Sequence, residues 1–218
     1  MKKLLLLTIG GFSHVNDQIT AQFEQKGVEC VRVDLLPYIE KRNFTKHPYT
    51  IVRSLLTAYL ENRDSYLNSY KKTAFAFRQL TKVATELVRE IDCDVILQTQ
   101  LLFTIDRKVI DKPYFVYTDF THHLFNSDIE AGFSTSGISR VSDEAIELER
   151  LAYQSADKVF VYTPYMAEDL VEFYYLSRDK VSPIGMGINV ALPPPVQDWS
   201  HSFRILFIGI DYERKGGA

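Results

Sequence analysis

Cysteine and tryptophan are scarce in this 218-residue chain, with two and one respectively, and no apolar run approaches the length that spans a membrane. Cys30 and Cys93 lie far apart, outside any Cys-x-x-Cys pattern or Cys/His cluster, which argues against a disulfide framework or a zinc ribbon. Each sits beside an apolar run, so both are expected as reduced, packed thiols. Internal repeats and low-complexity tracts are absent as well, and a hydrophobic content of 46% excludes a disordered chain. The opening MKKLLLLTIGG has the Lys pair and Leu run of a secretion signal. Its apolar stretch, Leu4–Ile9, is too short for a signal core and runs into Gly10-Gly11 without a small-x-small cleavage site. A cytoplasmic protein, soluble or peripheral on the inner face of the membrane, is expected.

Charge of neither sign dominates, yet it is unevenly placed. Within a formal net charge of −3, residues 41–85 carry nine Lys/Arg against Glu61 and Asp64, a local +7 that leaves −10 elsewhere. Such a span suits a face that meets an anionic surface, or two helices with solvated basic sides. Phe44, Tyr49, Tyr59, Tyr66, Tyr70, Phe75 and Phe77 lie among these cations. The acidic remainder disfavours nucleic-acid binding.

Apolar runs of strand length recur at Leu4–Ile9, Val31–Leu35, Val95–Leu97, Tyr114–Tyr117, Val159–Tyr162, Val181–Ile184 and Ile205–Ile210. Between most of them lie patterns of helical period. One helix is expected over residues 66–91 and a shorter one over Pro48–Leu60. Two more follow Ser142, an N-cap candidate, and Thr163-Pro164, a cap followed by a first-turn proline. The last of these runs on near Ala167–Tyr175, and Asn126–Val141 reads as an irregular loop, either mobile over the site or a plain surface connection. Near-continuous apolar strands alternating with helices predict an α/β chain, a parallel sheet covered on both faces, whose ligands bind beyond the strand carboxyl ends. The site loops are then Gly10–His14, Gln98–Gln100, Thr118–His123 and Thr163–Tyr165. Gly185, Gly187 and Pro193–Pro195 mark a linker and a domain boundary near residue 190, giving domains 1–190 and 191–218.

The last stretch, FRILFIGIDYERKGGA, reads as a strand delivering Lys215 and two glycines to the point where a helix would start, a usual way to hold a phosphate. With ADKVFVYTPYMAEDLVEFYYLSRDKVSPIGMGIN before it, this segment resembles the family 4 retaining glycosyltransferases, which have two Rossmann-like domains in the GT-B arrangement. ILFIGIDYERKGG is similar to the first strand and phosphate loop of their donor domain, and YTDFTHHLF looks like an acceptor-domain loop of one subgroup. The resemblance is strongest over 145–217, looser over 1–12 and indistinct over 36–92. It implies a Rossmann-like doubly wound parallel sheet on the acceptor side, followed by the first strand of a donor domain. It also implies that the chain is a fragment, inactive alone, since the family's Glu-x7-Glu pair would lie beyond residue 218.

Under that resemblance Gly10 and Gly11 bring backbone close to sugar or phosphate, where a plain tight turn is the alternative. Asp119 stands beside the transferred sugar and stabilises charge at the anomeric carbon, while the departing phosphate takes the acceptor's proton; the alternative is a local cap. Thr118, His122 and His123 would contact sugar oxygens, one His of the pair being expected to face solvent. Arg214 and Lys215 would hold the donor diphosphate, with Ile210 standing where the family commonly has an Arg. Gly187 and Asn189 lie at the hinge. The donor is a nucleotide sugar, the acceptor a glycan, lipid or small-molecule hydroxyl, and no metal or other cofactor is expected. Basic faces on the first domain of related enzymes dock anionic membranes, which the 41–85 span would do here. Two rivals are weighed: an assembly subunit whose 205–210 strand pairs with another chain, and a sugar-nucleotide epimerase on the same fold.

Overall fold

A computed structural model of the chain describes residues 2–61, 66–131, 140–185 and 187. The described strands are β1 (Lys3–Thr8), β2 (Glu29–Asp34), β3 (Val95–Thr99), β4 (Tyr114–Thr118), β5 (Lys158–Val161) and β6 (Val181–Pro183). All pair in parallel in the order β2-β1-β3-β4-β5-β6, a Rossmann-like doubly wound α/β sheet. The chain builds outward from β1 to β2, then crosses back past β1 to β3. The reversal falls between β1 and β3, where ligands bind in sheets of this kind.

The unbroken Leu run of β1 follows from its place. Leu4, Leu5, Leu6 and Leu7 are all buried, because both faces of a central parallel strand are covered. Leu4 and Leu6 pack with Leu97 and Ile19 of α1 (Val15–Gln25). Leu5 and Leu7 face the larger core, shared with α4 (Ala74–Glu90), α6 (Asp143–Ser155) and α7 (Pro164–Glu172). The remaining helices are α2 (Pro48–Glu61), α3 (Tyr66–Ser69) and α5 (His122–Glu130). Cys30 is partly buried and Cys93 buried, both unbridged.

Two expectations need correction. The single helix over 66–91 is broken: Thr73, at φ −76° and ψ 152°, accepts from Ala76 N at 3.2 Å and donates to the Tyr70 carbonyl at 3.2 Å. Its hydroxyl caps α4 and stops α3 from continuing into it. The irregular loop from Asn126 begins instead inside α5. Asn126 then clamps Val141 from both sides, donating to its carbonyl at 2.9 Å and accepting from its N–H at 2.8 Å. Thr163 caps α7 as expected, accepting from Met166 N at 3.2 Å. Ser142 precedes α6 as expected, but its buried hydroxyl makes no capping bond. The strand 205–210, the 190 boundary, Asn189, Arg214 and Lys215 lie outside the described residues.

Candidate functional site

Three loops follow the carboxyl ends of the adjacent strands β1, β3 and β4, the first two flanking the sheet reversal. After β1, Gly10 adopts φ +77°, its N–H donating to Asp34 Oδ1 at 2.8 Å and its carbonyl accepting from Asn16 Nδ2 at 3.1 Å. Asn16 is wholly buried and accepts from Thr99 Oγ1 at 2.7 Å, which ties the end of β1 to the end of β3. Gly11 is exposed, at φ −76°, with nothing within 4 Å of the place a Cβ would take. No side chain caps the turn at Phe12–His14 or the start of α1 that follows it. Phe12 (φ 41°), His14 (φ 63°) and Gln100 (φ 62°) are left-handed without being glycine. Such a conformation costs about 1–2 kcal/mol per residue. Three of the four cases among the described residues lie in these two loops, a concentration that favours a functional reading of the strain. Gln100 is held there from behind. Gln98 Nε2 donates to its carbonyl at 2.9 Å and to that of Phe103 at 2.8 Å, while Gln98 Oε1 accepts from the Tyr114 hydroxyl at 2.7 Å.

The loop after β4 carries most of the sequence candidates. Thr118 is buried and donates to the Phe120 carbonyl at 3.1 Å, tightening the turn. Thr121 caps α5 by accepting from Leu124 N at 3.1 Å and donates to Asp169 Oδ2 at 2.7 Å. A cavity of about 130 Å³ opens between this loop, Gln100 and the residues just before α4. At about 30 Å³ per water it holds a small group rather than a whole large ligand. Asp119 and Phe120 form its exposed rim, while Lys72, Gln100, His122 and Glu149 line its wall.

Lys72 went unrecognised as a site residue in the sequence, where it is one cation in a basic span. Its ammonium sits 4.0 Å above the centre of the Phe125 ring, a cation–π contact, and makes no hydrogen bond among the described residues. Burial holds its pKa below the ordinary range, opposed by the carboxyls of Glu149 and Asp119. Glu149 was also missed, although a signal was there. It interrupts the apolar stripe Ala145, Ile146, Ala152, Tyr153, all buried, and a carboxylate on such a stripe needs partners. It has them: Glu149 Oε2 accepts from His122 N at 3.0 Å and from the Tyr174 hydroxyl. Burial still pushes its pKa up to about 8. The same burial, with Lys72 adding to it, pulls His122 down to about 3, so its imidazole is neutral. His122 Nδ1 and Gln100 Oε1 are both buried and without hydrogen-bond partners.

His123, by contrast, is not part of the cavity wall. Its Nδ1 lies 2.6 Å from Asp169 Oδ1, its ring stacks on Phe173 at 3.5 Å, and its N–H donates to the Tyr174 hydroxyl at 3.1 Å. Neither His faces solvent freely, since His122 is buried and His123 only half-exposed. The structure therefore brings Thr118, Asp119 and His122 to one cavity and sets Gly10-Gly11 at the neighbouring strand end. Asp119 is raised above the usual carboxylate range, first by loss of surrounding water, with Lys72 opposing. Gly187 is exposed.

Chemically, the cavity offers an ammonium donor, carboxylate and amide acceptors, a neutral imidazole and aromatic faces at Phe120 and Phe125. That mixture suits a hydroxyl-rich ligand whose oxygens both donate and accept. The amides at the start of α5 are not part of the offer, because Glu149, Tyr174 and Thr121 already take them. Among the described residues no cluster of three or more His, Cys, Asp or Glu is placed to hold a metal ion, and no helix is long and apolar enough to cross a membrane. Scanned against protein-family models and against curated proteins, the chain matches none.

Proposed function

We propose that residues 1–190 are the acceptor-side domain of a nucleotide-sugar-dependent, retaining glycosyltransferase. The observation that carries this reading is the meeting of Asp119, Gln100, His122 and Lys72 in one cavity beyond the carboxyl ends of β3 and β4, with the open Gly10-Gly11 turn at the end of the neighbouring β1. Asp119 accepts from the ligand's hydroxyls and places negative charge where the anomeric carbon turns positive. Phe120, 40% exposed at the rim, offers a flat apolar face to a sugar ring. Gly11 lets a second ligand approach the backbone closely. The donor diphosphate is assigned to Arg214 and Lys215, and the hydroxyl that receives the sugar to the cavity. Saturation-transfer NMR with a panel of monosaccharides and glycosides tests the reading. At least one should bind, and Asp119→Ala should weaken it about tenfold or more with the fold intact; no binding across the panel would sink it.

The same reading places a bilayer against α2. Tyr49, Val52, Leu56, Tyr59 and Leu60 recur at helical steps and are all exposed, Leu60 at 75%. Arg53 lies among them, and Lys41, Arg42 and Lys46 are exposed in the segment that leads into α2. Exposed apolar side chains on a helix that follows a basic segment match an anionic membrane surface. Flotation with phosphatidylserine vesicles should carry the chain, and Leu56→Asp with Leu60→Asp should abolish that; equal flotation of the variant would remove the bilayer from the proposal.

A further inference from the structure

Lys72 stands in the cavity with three N–H donors, one aromatic ring beneath it and no hydrogen bond among the described residues. Lys72 is half-buried, and with one side of its ammonium on the Phe125 ring its donors are left to the cavity. Its two carboxyl neighbours do not serve. Glu149 spends its oxygens on His122 N and the Tyr174 hydroxyl, and it holds a proton at neutral pH. Asp119 is on the exposed rim and makes no hydrogen bond to Lys72. The start of α5, the other natural place for an anion, is occupied from within the chain. Two buried polar atoms of the wall, His122 Nδ1 and Gln100 Oε1, also make no hydrogen bond, although His122 Nδ1 lies 3.5 Å from Glu149 Oε2.

Resting on the acceptor-site reading of this cavity, we propose that Lys72 is the seat of an oxyanion, a phosphate or carboxylate, carried by an otherwise hydroxyl-rich ligand. The acceptor class is thereby an acidic saccharide or polyol rather than a neutral one. The oxyanion pairs with the ammonium over Phe125. Hydroxyls of the same molecule donate to Gln100 Oε1 and Asp119 and meet the neutral His122. At about 130 Å³ the cavity takes the anionic group and the edge of one ring, the rest lying across Phe120 at the mouth.

Isothermal titration with glucose, glucose 6-phosphate, glucuronate and inorganic phosphate tests this. Glucose 6-phosphate or glucuronate should bind at least tenfold more tightly than glucose, and Lys72→Met should erase that preference. Which acid wins tells phosphate from carboxylate. Lys71→Met, whose side chain lies on a different surface groove, should keep the preference. Equal affinities for acid and neutral sugar, no binding by either acid, or a preference that survives Lys72→Met each overturns the seat. Should Lys72→Met fail to fold, the Lys72 Cε signal in ¹³C-lysine spectra of the unaltered chain decides: it must move on adding the acid that binds, and immobility overturns the proposal. If inorganic phosphate binds as tightly as glucose 6-phosphate, the oxyanion seat stands and the saccharide-acceptor reading falls.

Discussion

The backbone N–H of His122 donates to Glu149 Oε2 at 3.0 Å, so a buried carboxyl on α6 closes the start of α5. The Tyr174 hydroxyl reaches the same oxygen and accepts from His123 N. Three segments distant in sequence are thereby locked behind the cavity, and the lock contains two groups whose protonation differs from that of the unfolded chain.

Stability should therefore depend on pH in a defined way. Glu149 is raised from 4.5 to about 8, so the folded state holds a proton that the unfolded state has lost. Its contribution is full below 4.5 and is lost as pH climbs through 8. His122 is lowered from 6.5 to about 3, so its contribution is full above 6.5 and is lost as pH falls through 3. Between 4.5 and 6.5 the two oppose each other. From 6.5 to 8 Glu149 acts alone, with a slope of up to about 1.4 kcal/mol per pH unit. Urea unfolding at pH 6.5 and 8 should show this loss, and Glu149→Gln should flatten it; a wild-type slope in the variant would refute the assignment.

Thr121 serves two partners at once, Leu124 N and Asp169 Oδ2. Thr121→Val should cost about 2 kcal/mol, combining a lost cap with a buried carboxylate short of a donor. Thr121→Ser should recover most of it. Chemical denaturation of both variants is the check, and equal loss in the two would show that packing matters more than the hydroxyl.

The adjacent glycines should separate folding from binding. At Gly10 (φ +77°) an added Cβ is strained and would come within 3.4 Å of Leu36 Cδ2, so Gly10→Ala should lower stability by about 1–2 kcal/mol. At Gly11 there is open space and an ordinary φ. Gly11→Val should leave the melting temperature within a few degrees of wild type while weakening any ligand that approaches the turn. A Gly11 variant that unfolds first would contradict this.

Asn16 joins the two strands flanking the sheet reversal. Asn16→Ala leaves the Gly10 carbonyl and the Thr99 hydroxyl buried and unpaired, at a cost of about 2–4 kcal/mol. Adding Thr99→Val to that background should cost less than Thr99→Val alone, because one orphaned group is removed. Additive losses in the double-mutant cycle would mean that the pair is not coupled.

The described strands were legible to within two residues because each is a short apolar run flanked by polar or turn residues, as buried parallel strands require. Gly10-Gly11 and the loop after β4 were legible by the same token, since they follow such runs. The break at Thr73 was not, because a Thr inside a helical pattern looks the same whether its hydroxyl caps a new helix or points to solvent. Lys72 was hidden for a related reason. Only the turn at Tyr70–Lys72 aims its side chain inward, and nothing in a basic stretch marks which cation will turn. Glu149 and Asp169 left a trace, each a carboxylate on an otherwise apolar helical stripe, and that trace is the one to look for when a site is built from helices behind the sheet.

The carboxyl at the start of α5 has one more implication. A helix whose first amides are already bonded by its own chain has no need of a guest to complete it, so the recess in front of it is shaped before any ligand arrives. Loading it should alter occupancy far more than conformation, and rigid molecules can be fitted to the empty form.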